Sequence, residues 1–174
     1  MQPMKREHIS SRDQTKSWPG KLPVLTWVLL ALLFSFFYAL YFSPALLQNG
    51  LLAPGDGAIY YWPSFGLPAT ELWNDLLLSG YSALSDIQAQ TLYPLRWLSP
   101  TYNSLVISAY VVAAIGSFGL ALSLTGSRIA ALAAALVVSG SGFMLAHLGH
   151  LSIIHAAAWV PGILWALSSL RTRN

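Results

Sequence analysis

From Leu22 to Leu47 the chain carries no charged side chain, and the stretch LPVLTWVLLALLFSFFYALYFSPALL is apolar almost throughout. About 20 apolar residues carry a helix across a bilayer core, so this run is long enough to span. Three more runs follow, at Leu105–Leu124, Ile129–Leu145 and Leu151–Leu170, and none contains Asp, Glu, Lys or Arg. Charge-free apolar runs of this length are read as spanning helices. The expected fold class is therefore all-α. An integral membrane chain of about four transmembrane helices is expected, with the first at 22–47 and the other three within 104–170. The first run is too long for the apolar core of a signal peptide, and no small-residue cleavage site follows it. Pro44 is expected to end or kink the first helix, and Pro161-Gly162 to kink the fourth.

Composition agrees with a bilayer as solvent. The chain is 55% hydrophobic and only 9% charged, where soluble domains run near a quarter charged. It has no cysteine, which excludes disulfides and thiolate metal sites. Eight of the nine Lys and Arg residues fall in residues 1–21, at Arg128, or at Arg171 and Arg173. With four spans all three places share one side, and basic residues favour the cytoplasmic side. Residues 1–21 then form a basic cytoplasmic tail that signals topology, with no nucleic acid as partner, and 171–174 a cytoplasmic end. The segment 48–103 holds Asp56, Glu71, Asp75 and Asp86 against the single cation Arg96, so it is expected as a long extracytoplasmic loop carrying short interfacial helices. Small residues such as Gly116, Gly119 and Ala133 to Ala135 would allow close helix packing.

The loop also holds the side chains capable of chemistry. Asp56 sits between Gly55 and Gly57. A carboxylate on so open a turn can act as a general base or help hold a divalent cation, and it can equally belong to an ordinary Gly-Asp-Gly turn. Tyr60, Tyr61, Trp62, Trp73, Tyr93, Trp97 and Tyr102 suit a sugar-stacking surface, and they suit an interfacial aromatic belt at least as well. Leu67 to Ser79 has the pattern of a short amphipathic helix on the outer leaflet, with Glu71 and Asp75 on one face. His147, His150 and His155 read H-x2-H-x4-H, which matches no strong zinc signature, so no metal site is assigned to them. His155 falls inside the fourth apolar run, where an ionisable group tends to be functional.

The order of short motifs carries a family likeness. After the first span come Gly55-Asp56-Gly57 with Tyr60, Tyr61 and Pro63, then Leu72-Trp73-Asn74 and Ser79-Gly80-Tyr81. Next is Ser85 to Leu98 (SDIQAQTLYPLRWL), then Ser141-Gly142-Phe143, Gly149-His150, and Ala156 to Leu167 (AAAWVPGILWAL). Over about residues 22–170 this resembles the N-terminal part of the bacterial YfhO-type multi-spanning membrane proteins, relatives of the GT-C glycosyltransferases that use polyprenyl-phosphate sugars. Asp75 stands where that family commonly has the proline of W-N-P, and Ile87 where it has the proline of A-D-P-Q.

The resemblance implies a glycosyltransferase of the bacterial cytoplasmic membrane, moving a sugar from a polyprenyl-phosphate donor to an extracytoplasmic acceptor. It implies Asp56 as the catalytic carboxylate of the first external loop, activating an acceptor hydroxyl or orienting it through a metal, and Asp86 as the second candidate. Arg96, His150 and His155 would balance charge on the leaving phosphate, and Tyr60, Tyr61, Trp73, Asn74 and Gln88 would contact sugar or order the loop. A divalent cation at Asp56 is the one cofactor it suggests. Family members are several times longer. The chain is therefore expected to correspond to a fragment, to an inactive remnant, or to a unit that works with a further membrane chain. The alternative is a non-catalytic membrane subunit or scaffold whose external loop binds a glycan or a partner. A small transporter is the weaker reading, because the apolar runs lack the charged groups that mark ion paths.

Overall fold

The computed structural model describes residues 22–66, 72–75, 79–82, 84, 86–88 and 90–171. The expected basic tail at 1–21, Glu71 with the beginning of the expected amphipathic helix, and residues 172–174 lie outside the described residues. The fold is helical, with four segments long and apolar enough to cross a membrane: Val24–Tyr41, Tyr102–Thr125, Arg128–Ala146 and Leu151–Leu170.

The first span, α1 (Val24–Tyr41), ends before Phe42, and a short α2 (Ser43–Leu46) follows with Pro44 in its first turn. A proline there breaks no helical hydrogen bond, since the first-turn N–H groups have no partner anyway. The connecting segment then forms a π-helical turn at Gly57–Tyr61, a short α3 (Trp62–Phe65), two paired two-residue strands β1 (Trp73–Asn74) and β2 (Tyr81–Ser82), and α4 (Pro94–Leu98). The second span is α5 (Tyr102–Thr125). It starts at a capping box between Thr101 and Ser104 and stops at Gly126, whose φ of 68° is the left-handed geometry that ends helices. The third span is α6 (Arg128–Ser139) followed by α7 (Gly142–Ala146), with a break at Gly140-Ser141. The fourth, α8 (Leu151–Arg171), is one helix with Pro161 inside it.

Helix α5 is the hub, and α1, α6 and α8 pack against it. Of its apolar window 61% is buried, against 11% for α1. Lipid tails are as apolar as leucine, so burial of leucine does not drive these helices together; close packing does. The small residues of α5 serve that purpose. A Cβ on Gly116 would lie 2.7 Å from the backbone nitrogen of Gly162, and one on Gly119 would lie 2.5 Å from the ring of Trp165. Trp165 stacks 4.9 Å from Trp27, which meets Phe118 edge-on. Near the other end, Tyr38 of α1 shares a hydrogen bond with Ser139 and packs against Tyr110, whose hydroxyl donates to the Met144 carbonyl.

These pairings join the start of α1 to the ends of α5 and α8, the end of α1 to the first half of α5 and the end of α6, and α5 in turn to α7. The spans therefore alternate in direction. The long connection between α1 and α5 and the short turn between α7 and α8 meet at one end of the bundle, and Arg128 lies at the other.

One expectation fails. The centre of the amphipathic stretch, Trp73-Asn74, is extended and pairs antiparallel with Tyr81-Ser82. Ser79 (φ 65°) and Gly80 (φ 101°) both adopt the left-handed conformation. The Trp73 indole lies so close to Gly80 that a Cβ there would be 2.9 Å from the ring. The glycine turn and the indole packing over it favour an extended conformation over helical periodicity.

Candidate functional site

The segment that carries Asp56 is tied to the bundle at two places. Asn103, in the first turn of α5, accepts a hydrogen bond from the Leu52 N–H and donates one to the Gly50 carbonyl. Beyond that clamp, Pro54 and Gly55 turn the chain. The N–H groups of Gly57 and Ala58 bond back to the carbonyls of Pro54 and Gly55, and Gly55 has φ +57°. The second attachment is a contact between backbones. A Cβ on Gly149 would fall 2.1 Å from the Pro54 carbonyl oxygen, and a Cβ on Gly57 would fall 3.3 Å from Gly149. Gly57 and Gly149 are needed because two stretches of main chain touch there.

That contact sets Asp56 beside His150. The Asp56 Oδ2 is 3.4 Å from the His150 Nε2, and the two side chains are 55% and 41% exposed. His150 Nδ1 is buried and has no hydrogen-bond partner. The pair is an open acid–base couple at the loop end of the bundle. It can hold a hydroxyl between carboxylate and imidazole, and it can take that hydroxyl's proton.

Close by, a cavity of about 370 Å³ lies between residues 84, 86–87 and 90–93 and the first turns of α8, and Asp86, Tyr93, Ser152, His155 and Trp159 line it. The Tyr93 hydroxyl is its centre. It accepts from Trp159 Nε1 at 2.9 Å and bonds His155 Nδ1 at 2.8 Å. The phenol oxygen can accept from both neighbours or donate its own proton to His155, according to which ring nitrogen of His155 carries hydrogen. Burial pushes the Tyr93 hydroxyl above its ordinary pKa, and the bond from Trp159 offsets this only in part. Ser152 bonds the Tyr61 hydroxyl at 2.9 Å, which connects the cavity wall to the turn after Asp56.

The remaining expected residues fall as follows. Asp86 accepts from the Gln88 N–H and shapes its own turn. Tyr61 is buried and Tyr60 partly exposed, with its carbonyl held by Ser64. Trp73 is exposed on β1, and Asn74 is its neighbour there. Arg96 is buried (7% exposed), its guanidinium turned toward the carbonyls of Ser64 and Phe65 and over the Phe65 ring. Burial lowers its pKa from the usual guanidinium value. It props the end of α3.

The three histidines do not converge on one point, although the His147 and His150 rings are 5.9 Å apart. His147 stacks on Phe143, His150 meets Asp56, and His155 is buried against Tyr93. Among the described residues no group of three His, Asp or Glu side chains could hold a metal ion. Sequence reasoning missed Asn103, Ser152, Trp159 and Gln90. No local pattern marks them: the bond from Trp159 to Tyr93 spans 66 positions. No protein-family model, no curated protein and no solved structure matches this chain.

Proposed function

We propose that the chain is a glycosyltransferase-like membrane protein, in which Asp56 acts on an acceptor hydroxyl during sugar transfer from a polyprenyl-phosphate donor. One observation supports this reading above the others: Asp56 is solvent-accessible, pre-positioned against His150, and held there by a backbone contact that leaves no room for side chains. In the reaction the acceptor O–H bond breaks and its proton passes to the Asp56 carboxylate. The freed oxygen bonds the anomeric carbon as the bond from that carbon to the phosphate oxygen breaks. Polyprenyl phosphate leaves with the bonding electrons. His150 orients the carboxylate and, when protonated, steadies the departing phosphate. The resemblance to YfhO-type proteins supplies the substrate class, and a further membrane chain could complete the donor site.

A second reading is a membrane subunit that binds a glycan and performs no transfer. The position of Arg96 favours it, because the loop's only cation is buried under α3. The two readings part on one experiment. The full chain, co-expressed with its gene neighbours and reconstituted in vesicles containing a polyprenyl-phosphate sugar, is assayed for transfer. Loss of transfer by about 100-fold or more in Asp56→Asn is the expected result, on the scale of a lost general base. Undiminished transfer by that variant removes Asp56 from the chemistry. Absence of transfer in every preparation, with glycan binding retained, favours the second reading.

A further inference from the structure

The cavity beneath Tyr93 has chemistry of its own, separate from Asp56. We propose that it binds the neutral, hydroxyl-bearing headgroup of an amphiphile that enters sideways from the bilayer. The reasons are size, polarity and position. At about 370 Å³ the space is that of a small-molecule site. Its α8 wall belongs to the membrane span Leu151–Leu170, and its rim is apolar and exposed, with Ile87 76%, Leu92 71% and Trp159 45% exposed. A free polar solute gains nothing from such a rim, whereas an acyl or isoprenoid chain does.

The polar groups within select the head. Gln90 lines the cavity, and its buried Oε1 has no hydrogen-bond partner. An unpaired buried acceptor of this kind costs free energy until a donor arrives. The Gln90 backbone is also strained, at φ 51°, a conformation that non-glycine residues adopt rarely and keep where surroundings enforce it. The Asp86 carboxylate is a further acceptor, and among the described residues no Lys or Arg lines the space. Phosphate brings negative charge, which the Asp86 carboxylate disfavours and no Lys or Arg of the described lining balances. A hydroxylated ring brings several donors at separate positions and an apolar C–H face to lie on Trp159. The site therefore suits the sugar or polyol end of a neutral lipid, whether or not Asp56 performs transfer.

The test uses the full chain in nanodiscs, with binding followed by competition against a tritiated n-dodecyl glucoside. Saturable binding of the glucoside is expected, with dodecyl phosphate, dodecylammonium and free glucose all competing at least tenfold less well. Trp159→Ala and Gln90→Leu are each expected to weaken the glucoside by about tenfold, the scale of one lost ring contact or buried hydrogen bond. Unfolding midpoints of both variants, together with retained binding in Asp56→Asn, separate a lost site from a lost fold and from failure of the transfer chemistry. Equal or better competition by dodecyl phosphate or dodecylammonium overturns the headgroup assignment. Equal competition by glucose overturns entry from the bilayer, and unchanged affinity in both folded variants overturns the site.

Discussion

At the scale of single residues, the glycines of the Asp56 turn carry different loads, and the difference can be measured. Gly55 has φ +57° with open space around its α-carbon, so Gly55→Ala meets only the left-handed backbone penalty. That penalty is about 1–2 kcal/mol. Gly149 faces the Pro54 carbonyl with no room for a methyl. Gly149→Ala must therefore push the turn off the start of α8, at an overpacking cost of about 1–3 kcal/mol or more. Thermal unfolding in detergent is expected to show a larger drop for Gly149→Ala than for Gly55→Ala, and only the former should separate Asp56 from His150. An equal drop would mean that the close backbone contact does not hold the pair. Sequence inspection singled out Asp56 for its glycine neighbours and could not supply this reason. Asp56 and His150 are 94 positions apart, and nothing in either local pattern encodes their meeting. Arg96 shows the converse. As a lone cation in an acidic loop it looked available for a ligand, and its stacking on Phe65 is a tertiary fact with no local signature.

At the scale of elements, the spans were legible and the connecting segment was not. Hydrocarbon imposes one rule on every residue of a span, so composition and length suffice to find it. The four apolar runs reappear as α1, α5, α6 with α7, and α8; α1 closes at Tyr41, six residues before Leu47, ahead of the separate turn that holds Pro44, and caps such as Thr101 and Gly126 decide the ends of α5. The connecting segment between α1 and α5 obeys no such rule. Its apolar spacing from Leu67 to Ser79 suggested a helix, and the Gly80 turn with Trp73 packed on it made a strand pair of its described centre. Packing also distinguishes helices that look alike in sequence. Gly119→Leu on α5 is expected to drive Trp165 from its place against Trp27, destabilise the fold by about 2 kcal/mol or more, and shift tryptophan emission. Leu33→Ala on α1 removes a side chain that is 53% exposed among residues facing lipid. Its effect is expected to stay within about 0.5 kcal/mol, as at other positions away from packed contacts. Comparable losses in the two variants would contradict α5 as the hub.

At the scale of the whole molecule, the candidate reactive groups among the described residues lie at one end. The Asp56–His150 pair, the Tyr93 cavity and the loop clamp at Asn103 share the end where α1 gives way to α5 and α7 turns into α8, while Arg128 marks the opposite end. Basic residues stay on the cytoplasmic side, because moving them across costs more than holding them back. The reactive end is therefore proposed to face outward, where a lipid-borne sugar would meet its acceptor. The chain contains no cysteine, so a single introduced thiol reports its own side without a background to remove. Ser127→Cys, exposed in the turn before α6, and Asp75→Cys, exposed beside β1, mark the two ends. In intact cells a membrane-impermeant maleimide is expected to label Asp75→Cys and to leave Ser127→Cys unlabelled until the membrane is opened. The reverse pattern would turn the bundle over and place Asp56 in the cytoplasm. Transfer to an extracytoplasmic acceptor would then be ruled out, while the packing around α5 and the cavity beneath Tyr93 would stand unchanged.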